Sequence, residues 1–384
     1  MDANGVKQAE IEHVMQTYGR FDLVIERGKG AYVFDKDGKK YLDFIGGIAC
    51  NPVGHGNKEI AKAVYQQMTT LGWVSNLYYT EPQAVLAKKL SELSGLPKVF
   101  FANSGAEANE AAIKLAKRTT GKGEFIACEH AFHGRTHATL SATWKEKYKT
   151  PFKPLVEGFS FVPYNDVGAI ERAITDKTAA VIIEPIQGEA GVLVPSADYL
   201  EKVREVCTRK GVLLILDEVQ TGVGRTGKFF AYQHTKIKPD IVTLAKGLAN
   251  GIPIGVCISS IEFGRAEHAS TFGGNCISSA AALATIDYIE KNNLMENAAK
   301  VGNHFMESLS KLKKIKQVRG KGLIIGVDID GDAKSVADEC LKVGLLLNNA
   351  AEHTLRFLPP LTITTKEADK AVKILKKVLN RKNG

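Results

Sequence analysis

A single lysine stands just beyond the apolar run Ile241–Leu244, in the stretch IVTLAKG that closes on Gly247. A buried strand that delivers one amine to its carboxyl end is where an open α/β sheet places its chemistry. Lys246 is short of carboxylate neighbours in sequence, and an amine in an apolar pocket loses its proton readily enough to attack a carbonyl. The chemistry to expect is Schiff-base formation, with an ordinary lysine at a strand end as the alternative. A second group of this kind is Asp217. It ends the run VLLILD, which would put a carboxylate at the same edge of the sheet. Buried there, it would need a cationic partner, either a protonated ring nitrogen or an arginine.

The third candidate is an anion cradle. NSGAEANEAA, Asn103 to Ala112, follows one apolar run and opens a helix, with Ser104 as N-cap and Glu107 closing a capping box. Gly105 and Ala106 leave the first backbone N–H groups open, and a helix start of this kind binds phosphate through those groups and the helix dipole. A plain capping box would look the same. In EHAFHGRTHATLSAT the spacing of His130, His133 and His137 suggests a metal site on a helix. Gly134 interrupts that helix and no carboxylate or cysteine completes the set, so no metal is expected. Phe132, a flexible His133-Gly134 and the fork of Arg135 fit better as a turn that stacks on a ring and binds a carboxylate. An exposed Glu189 lies between Gly188 and Gly191, and Arg356 sits in the apolar stretch TLRFLPPL, either paired or waiting for a carboxylate. Gly222, Gly224 and Gly227 spell G-x-G-x-x-G, but the motif comes well after its strand and leaves little room for a crossover helix. A dinucleotide fingerprint is rejected.

The elements that must position these groups alternate. AYVFDKDGKKYLDF reads as a hairpin around Asp37-Gly38. A helix is predicted from Thr80 as N-cap, with Gln83 completing a capping box, Pro82 in the first turn, an apolar face of Val85, Leu86, Leu90 and Leu93, and a stop at Gly95. Strands are predicted at Lys98–Ala102, Phe125–Cys128, Phe159–Val162, Ala179–Ile183, Val212–Leu216, Ile241–Leu244 and Gly255–Ile258, with helices such as Ala106–Lys117 and Ala197–Arg209 between them. That rhythm is the βαβ pattern of a mainly parallel sheet covered on both faces. The fold class is therefore α/β, with a large domain over residues 51–277. A smaller α+β domain would combine residues 1–50 with residues 278–384, where a long helix from Ser278 leads into strands near Gly322–Val327 and Thr354–Leu358.

Bulk properties exclude several function classes. With 384 residues, 44% hydrophobic and 24% charged, the chain is that of a soluble globular protein of two domains. No apolar run approaches the roughly 20 residues that span a bilayer, and MDANGVKQAE has no signal-peptide core. Six cysteines without a C-x-x-C pair suggest reduced thiols in a cytoplasm. The net charge of +9 is spread along the chain, which argues against nucleic acid and suits small dicarboxylate or phosphorylated ligands.

A phosphate cradle, a stacking aromatic, a carboxylate for a ring nitrogen and a lysine for an aldehyde together describe the needs of pyridoxal phosphate. NSGAEANE, FHGRT, EPIQGEAG, LDEVQTGVGRTG, LAKGLANGIPIG and STFGGN occur in that order. From about Tyr32 to Leu361 the chain resembles the class III (fold type I) pyridoxal-phosphate aminotransferases. SNLYYTEP, DFIGGIACNPVGHG and the compact length lean toward the acetylornithine branch of that class.

The resemblance implies a role for each residue. Lys246 would hold the cofactor and move the substrate proton, and Asp217 would pair with the ring nitrogen. Phe132 and Val219 would cover the two ring faces, with Glu218 beside them and Gln220 at the phenolic oxygen. Ser104, Gly105 and Ala106 would bind the phosphate. Thr271 would complete that site from the neighbouring subunit of a homodimer, with Ser270 near the substrate. Arg135 would take one carboxylate, and Arg356 would take glutamate's α-carboxylate unless Glu189 covers it. The implied reaction transfers the terminal amine of N2-acetylornithine to 2-oxoglutarate, giving N-acetylglutamate 5-semialdehyde and glutamate in arginine biosynthesis. Ornithine, 4-aminobutyrate, succinylornithine, succinyl-diaminopimelate and carrier-linked lysine are alternative donors, to be decided by pocket-edge residues such as Ile48, Asn76 and Arg135. An aminomutase on the same scaffold is a further alternative. Cys50, in the turn GIACN, departs from the family's usual filling.

Overall fold

Strand-rich stretches of the sequence close into three sheets in the computed structural model, which describes residues 1–381. The last three residues of the expected 278–384 domain lie outside that range. The first sheet is built on the hairpin around Asp37-Gly38. It holds β1 (Ile25–Lys29), β2 (Tyr32–Asp35) and β3 (Lys40–Asp43), with Gly38 at φ 79° in the left-handed region that glycine enters freely. Its fourth strand comes from the other end of the chain, since Leu345–Leu346 pairs in parallel with β3.

The central sheet has seven strands: β4 (Lys98–Ala102), β5 (Glu124–Cys128), β6 (Phe159–Val162), β7 (Thr178–Ile183), β8 (Leu213–Asp217), β9 (Ile241–Leu244) and β10 (Gly255–Ser259). Their order is β4-β10-β9-β8-β7-β5-β6. Every pairing is parallel except those of β10, which runs antiparallel to both its neighbours. Alternation decides the packing, because successive strand residues point to opposite faces. Phe125, Ala180, Ile182, Ile215 and Ile241 join one apolar layer with the helix Gly105–Thr120. Ile126, Val181, Ile183, Leu214, Leu216, Val242 and Leu244 join the other, larger one. The sheet is thus buried on both sides, as continuous apolar strands require.

The long helix Cys276–Lys291 packs on the helices Lys58–Thr70 and Glu81–Ser94. Beyond it come β11 (Ile315–Lys321), β12 (Ile324–Ile329), β13 (Leu345–Leu346), β14 (Asn348–Ala351) and β15 (Thr354–Phe357), and the third sheet runs β11-β12-β15-β14. The glycines of the rejected dinucleotide motif serve close packing. A Cβ on Gly222 would stand 2.3 Å from Leu244, and one on Gly227 would stand 3.0 Å from Ala299.

Two local expectations are corrected. Thr80 is the N-cap residue of Glu81–Ser94, but its side chain makes no capping bond. The Gln83 amide turns away to Asn76 Oδ1 at 2.7 Å, so no capping box forms. Val85 is exposed while Leu86 and Leu90 are fully buried, so the apolar face is narrower than its spacing suggested.

Candidate active site

The parallel strands β5, β7, β8 and β9 all end on one side of the central sheet, and the residues just beyond those ends line a cavity of about 420 Å³. Lys246 follows β9 after one residue, at φ 41°, and opens a short 3-10 turn to Ala249. Among the described residues its ammonium has no ion-pair or hydrogen-bond partner, yet it lies close enough to Glu184 and Glu189 to lower the pKa of each. It is the one lysine lining the cavity.

Asp217 ends β8, in register with Thr243 of β9. It is buried, and its closest side-chain neighbours are ones that spacing did not assign to it. Asp217 Oδ2 is 2.8 Å from His133 Nδ1 and accepts from Asn109 Nδ2 at 2.7 Å, while Oδ1 accepts from Val219 N–H at 3.0 Å. Thr243 Oγ1 donates to Asn109 Oδ1 at 2.7 Å, and Asn109 also holds the His133 carbonyl at 2.8 Å. Burial would lower the His133 pKa, but the bond and charge of Asp217, helped by Glu184, raise it above the ordinary value. The expected flexible turn at His133-Gly134 is therefore corrected: His133 is fully buried and held at both ends. A histidine next to the stacking Phe132, and an Asn within the alanine-rich face of AEANEAA, were the available signals for this pair.

Phe132 donates its N–H to Glu184 Oε1 at 3.0 Å. Burial pushes the Glu184 carboxyl up to about 7. Phe132 and Val219 both line the cavity. At the start of Gly105–Thr120, Ser104 Oγ accepts from Glu107 N–H at 3.2 Å. The Glu107 carboxylate takes Asn103 N–H at 3.0 Å and the Ser104 hydroxyl, so the box closes one residue early. Gly105 and Ala106 line the cavity at the opening of this 16-residue helix, where backbone N–H groups lack intrahelical acceptors.

Arg356, in β15, is 1% exposed, and its guanidinium meets Glu189 Oε1 at 2.5 Å and Gly188 O at 3.1 Å. Burial alone would raise the Glu189 pKa, but the charges of Arg356 and Lys246 hold it below the usual range. The expected exposed Glu189 is thus half-buried and paired. Arg135 is exposed at the cavity edge.

Three expected residues lie elsewhere. Glu218 faces away from the cavity, where its carboxylate accepts from Ala231 N–H, Tyr232 N–H and the Thr221 hydroxyl at 2.7–3.0 Å. Ser270 and Thr271 line a different depression, and Asn76 and Trp73 hold the carbonyls of their loop. Cys50, in contrast, lines the main cavity, with its thiol pKa raised by burial.

The cavity fits a flat, phosphorylated aromatic ring. Gln220 Oε1 is buried without a partner, an acceptor suited to a phenolic hydroxyl. A Cβ on Gly105 would stand 2.7 Å from Val219 Cγ1, so only glycine keeps the backbone cradle beside that side chain open.

Comparisons with known proteins agree. Residues 14–379 match the family model described as aminotransferase class-III. The chain is 46% identical to the acetylornithine aminotransferase of Methanothermobacter thermautotrophicus, over 99% of this chain and 100% of the relative. It is 48% identical to that of Methanosarcina mazei, covering 97% and 95%. Among solved structures, the ornithine aminotransferase of Toxoplasma gondii superposes with a TM-score of 0.95 at 32% identity, covering 99% and 96% of the two chains. The acetylornithine aminotransferase of Elizabethkingia anophelis gives 0.87 at 33%, covering 99% and 100%.

Proposed function

This chain belongs to the class-III aminotransferases, and we propose that it transfers the terminal amine of N2-acetylornithine to 2-oxoglutarate, forming N-acetylglutamate 5-semialdehyde and glutamate for arginine synthesis. The relatives at 46–48% identity over nearly the full chain, named as acetylornithine aminotransferases, support that donor. The observation that carries the reading is the meeting of Lys246, the Asp217–His133 pair and the Gly105 cradle in one cavity that also holds Glu189 against Arg356.

Enzymes of this class use pyridoxal phosphate, which supplies an aldehyde carbon and an electron-withdrawing ring. Lys246, the one lysine lining the cavity, would hold the cofactor through its aldehyde and would move the proton at the substrate carbon that bears the amine. Asp217, its carboxylate fixed by Asn109 and His133, would hold a proton at the ring nitrogen. Gly105 and Ala106 offer N–H donors to the phosphate. Phe132 and Val219 would cover the ring faces, and Gln220 Oε1 would accept from its hydroxyl. Arg135 receives the carboxylate at the far end of the acetylated donor, while Glu189 occupies Arg356.

Ser270 and Thr271 lie outside this cavity, Phe272 beside them is exposed, and so are Leu77, Tyr78 and Tyr79 next to Asn76, whose amide donates to Ser270 O. These features support a homodimer in which Thr271 serves the partner's phosphate site. The sheet shared by the two ends of the chain supports residues 1–50 and 278–384 as one smaller domain. Among the described residues no helix is long and apolar enough to cross a membrane. The six free thiols suit a cytoplasmic enzyme.

The test is direct. Purified protein supplied with pyridoxal phosphate should be yellow and form glutamate from N2-acetylornithine only when 2-oxoglutarate is present, and Lys246→Ala should abolish turnover. Retained turnover in that variant overturns the mechanism. Faster turnover of free ornithine than of its acetylated form overturns the donor assignment.

A further inference from the structure

The Arg135 guanidinium carbon lies 3.6 Å from the centroid of the Tyr148 ring and 5.6 Å from that of Phe132. Tyr148 meets Phe132 edge-on, with centroids 6.5 Å apart and an interplanar angle of 88°. One ring therefore touches both the aromatic that flanks the cofactor and the arginine assigned to the substrate carboxylate. Tyr148 stands on the short helix Glu146–Lys149, half-buried, one layer behind the cavity lining.

The way Arg135 is held decides what it can do. Among the described residues it has no carboxylate partner. A carboxylate would fix the side chain but would occupy the in-plane N–H donors that a substrate must use. Stacking on an aromatic face holds the planar cation from above and leaves that edge free. Two more cations gather at the same ring: Lys147 Nζ is 5.3 Å and Lys145 Nζ 5.9 Å from its centroid. Among the described residues neither is ion-paired, the neighbouring Glu146 being taken by Lys149 and Lys153.

We propose that Tyr148 is a positioning and specificity residue, a platform that presents the free edge of Arg135 to the substrate carboxylate and gathers positive charge favouring the dicarboxylate acceptor. This rests on the assignment of Arg135 to a substrate carboxylate. Loss of the ring face would weaken acceptor binding without changing the proton transfer at Lys246. It would weaken the singly carboxylated donor less, since two carboxylates feel the three cations more than one does.

The experiment uses the cofactor-loaded enzyme and follows half-reactions by the absorbance of the bound cofactor, with Tyr148→Phe, Tyr148→Leu and Tyr148→Met. The substrates are 2-oxoglutarate, N2-acetylornithine and hydroxylamine, an amine without a carboxylate. Tyr148→Leu and Tyr148→Met should raise the KM for 2-oxoglutarate about fivefold and that for acetylornithine less. Their kcat and hydroxylamine rates should stay near wild type, and Tyr148→Phe should behave as wild type. Two apolar replacements guard against one that fails to fold. An unchanged KM for 2-oxoglutarate in both overturns the proposal, as does a Phe variant impaired like Leu. An equal loss with hydroxylamine also overturns it, because the ring would then act only through Phe132. A wild-type enzyme inert toward acetylornithine whose acceptor KM still rises in Tyr148→Leu overturns the donor assignment and supports the platform.

Discussion

Replacing Glu189 by alanine should move the enzyme's preference from ω-amino toward α-amino donors. Arg356 is 1% exposed, and its main anionic partner is Glu189 Oε1 at 2.5 Å, with Gly188 O at 3.1 Å as a neutral second contact. On the proposed roles glutamate reacts through its α-amine, so its α-carboxylate would have to take Arg356 and displace Glu189. Acetylornithine, reacting through its terminal amine, would leave that pair intact. Removing one partner of a fully buried pair costs about 3–5 kcal/mol. The Glu189 side chain is 32% exposed, so solvent screening lowers the competition to about 1–2 kcal/mol. At about 1.4 kcal/mol per decade, that is roughly five- to thirtyfold. The assay is the pair of single-turnover half-reactions with glutamate and with N2-acetylornithine, each expressed as kcat/KM. In Glu189→Ala the glutamate-to-acetylornithine ratio should rise by that factor, and Glu189→Gln should fall between. An unchanged ratio refutes the switch, because the alanine variant leaves Arg356 free by construction.

Two further outcomes follow from the same geometry. Burial raises the Glu184 carboxyl to about 7 among His133, Asp217, Lys246, Cys128 and Tyr164, against about 4.3 in an unfolded chain. The native state then keeps a proton that the unfolded state releases, so this contribution is full below pH 4 and is lost as pH rises through 7. Glu184→Gln cannot ionise, and its stability in urea should fall less steeply between pH 5 and 7, by about 1 kcal/mol per pH unit; parallel slopes would refute the assignment. Separately, sedimentation of the wild-type chain should give twice 41.6 kDa. Tyr79→Glu, at a fully exposed ring, should shift the protein toward single chains and release cofactor. A fully active single chain would remove the shared site.

Much of the fold was legible because its signals are local. Apolar runs bounded by turns located all seven central strands to within about one residue at each end; of the outer strands, the β2–β3 hairpin, β12 and β15 were found, while β1, β11, β13 and β14 were not. The capping box at Thr80 failed for a tertiary reason: Gln83 is drawn across to Asn76, so the loop before the helix wins its amide. Val85 failed similarly, since helical spacing marks a face but not which edge of that face a neighbour will cover. In the site, residues at strand ends could be read from sequence because the end of a parallel strand is itself a position in space. Asn109 and His133 could not, because their partner Asp217 is 108 and 84 residues away. Glu218 was misplaced because adjacent strand-end residues point to opposite sides. Two of its three hydrogen bonds hold the turn at Ala231–Tyr232 instead, and the third takes the Thr221 hydroxyl.

The backbone around Lys246 carries a cost that no side-chain contact explains. Lys246 has φ 41°, Asn250 follows at 45° and Gly251 at 97°. Opposite them Gly46, Gly47, Ile48 and Ala49 form a run of left-handed residues at 55–68°. Each non-glycine residue in that region costs of order 1–3 kcal/mol and persists only where its surroundings over-determine it. The surroundings are visible: Gly46 abuts Leu358 O, and a Cβ on Gly247 would stand 3.2 Å from Ala49 O. Asn250 Oδ1 accepts from Val53 N–H at 3.1 Å while its amide donates to Gly54 O at 3.1 Å. The two strained turns therefore brace each other, one from the N-terminal segment and one from the central sheet. An unstrained extension of β9 would continue its 180° alternation past Leu244. The left-handed turn breaks that alternation at Lys246, which lines the same cavity as Asp217.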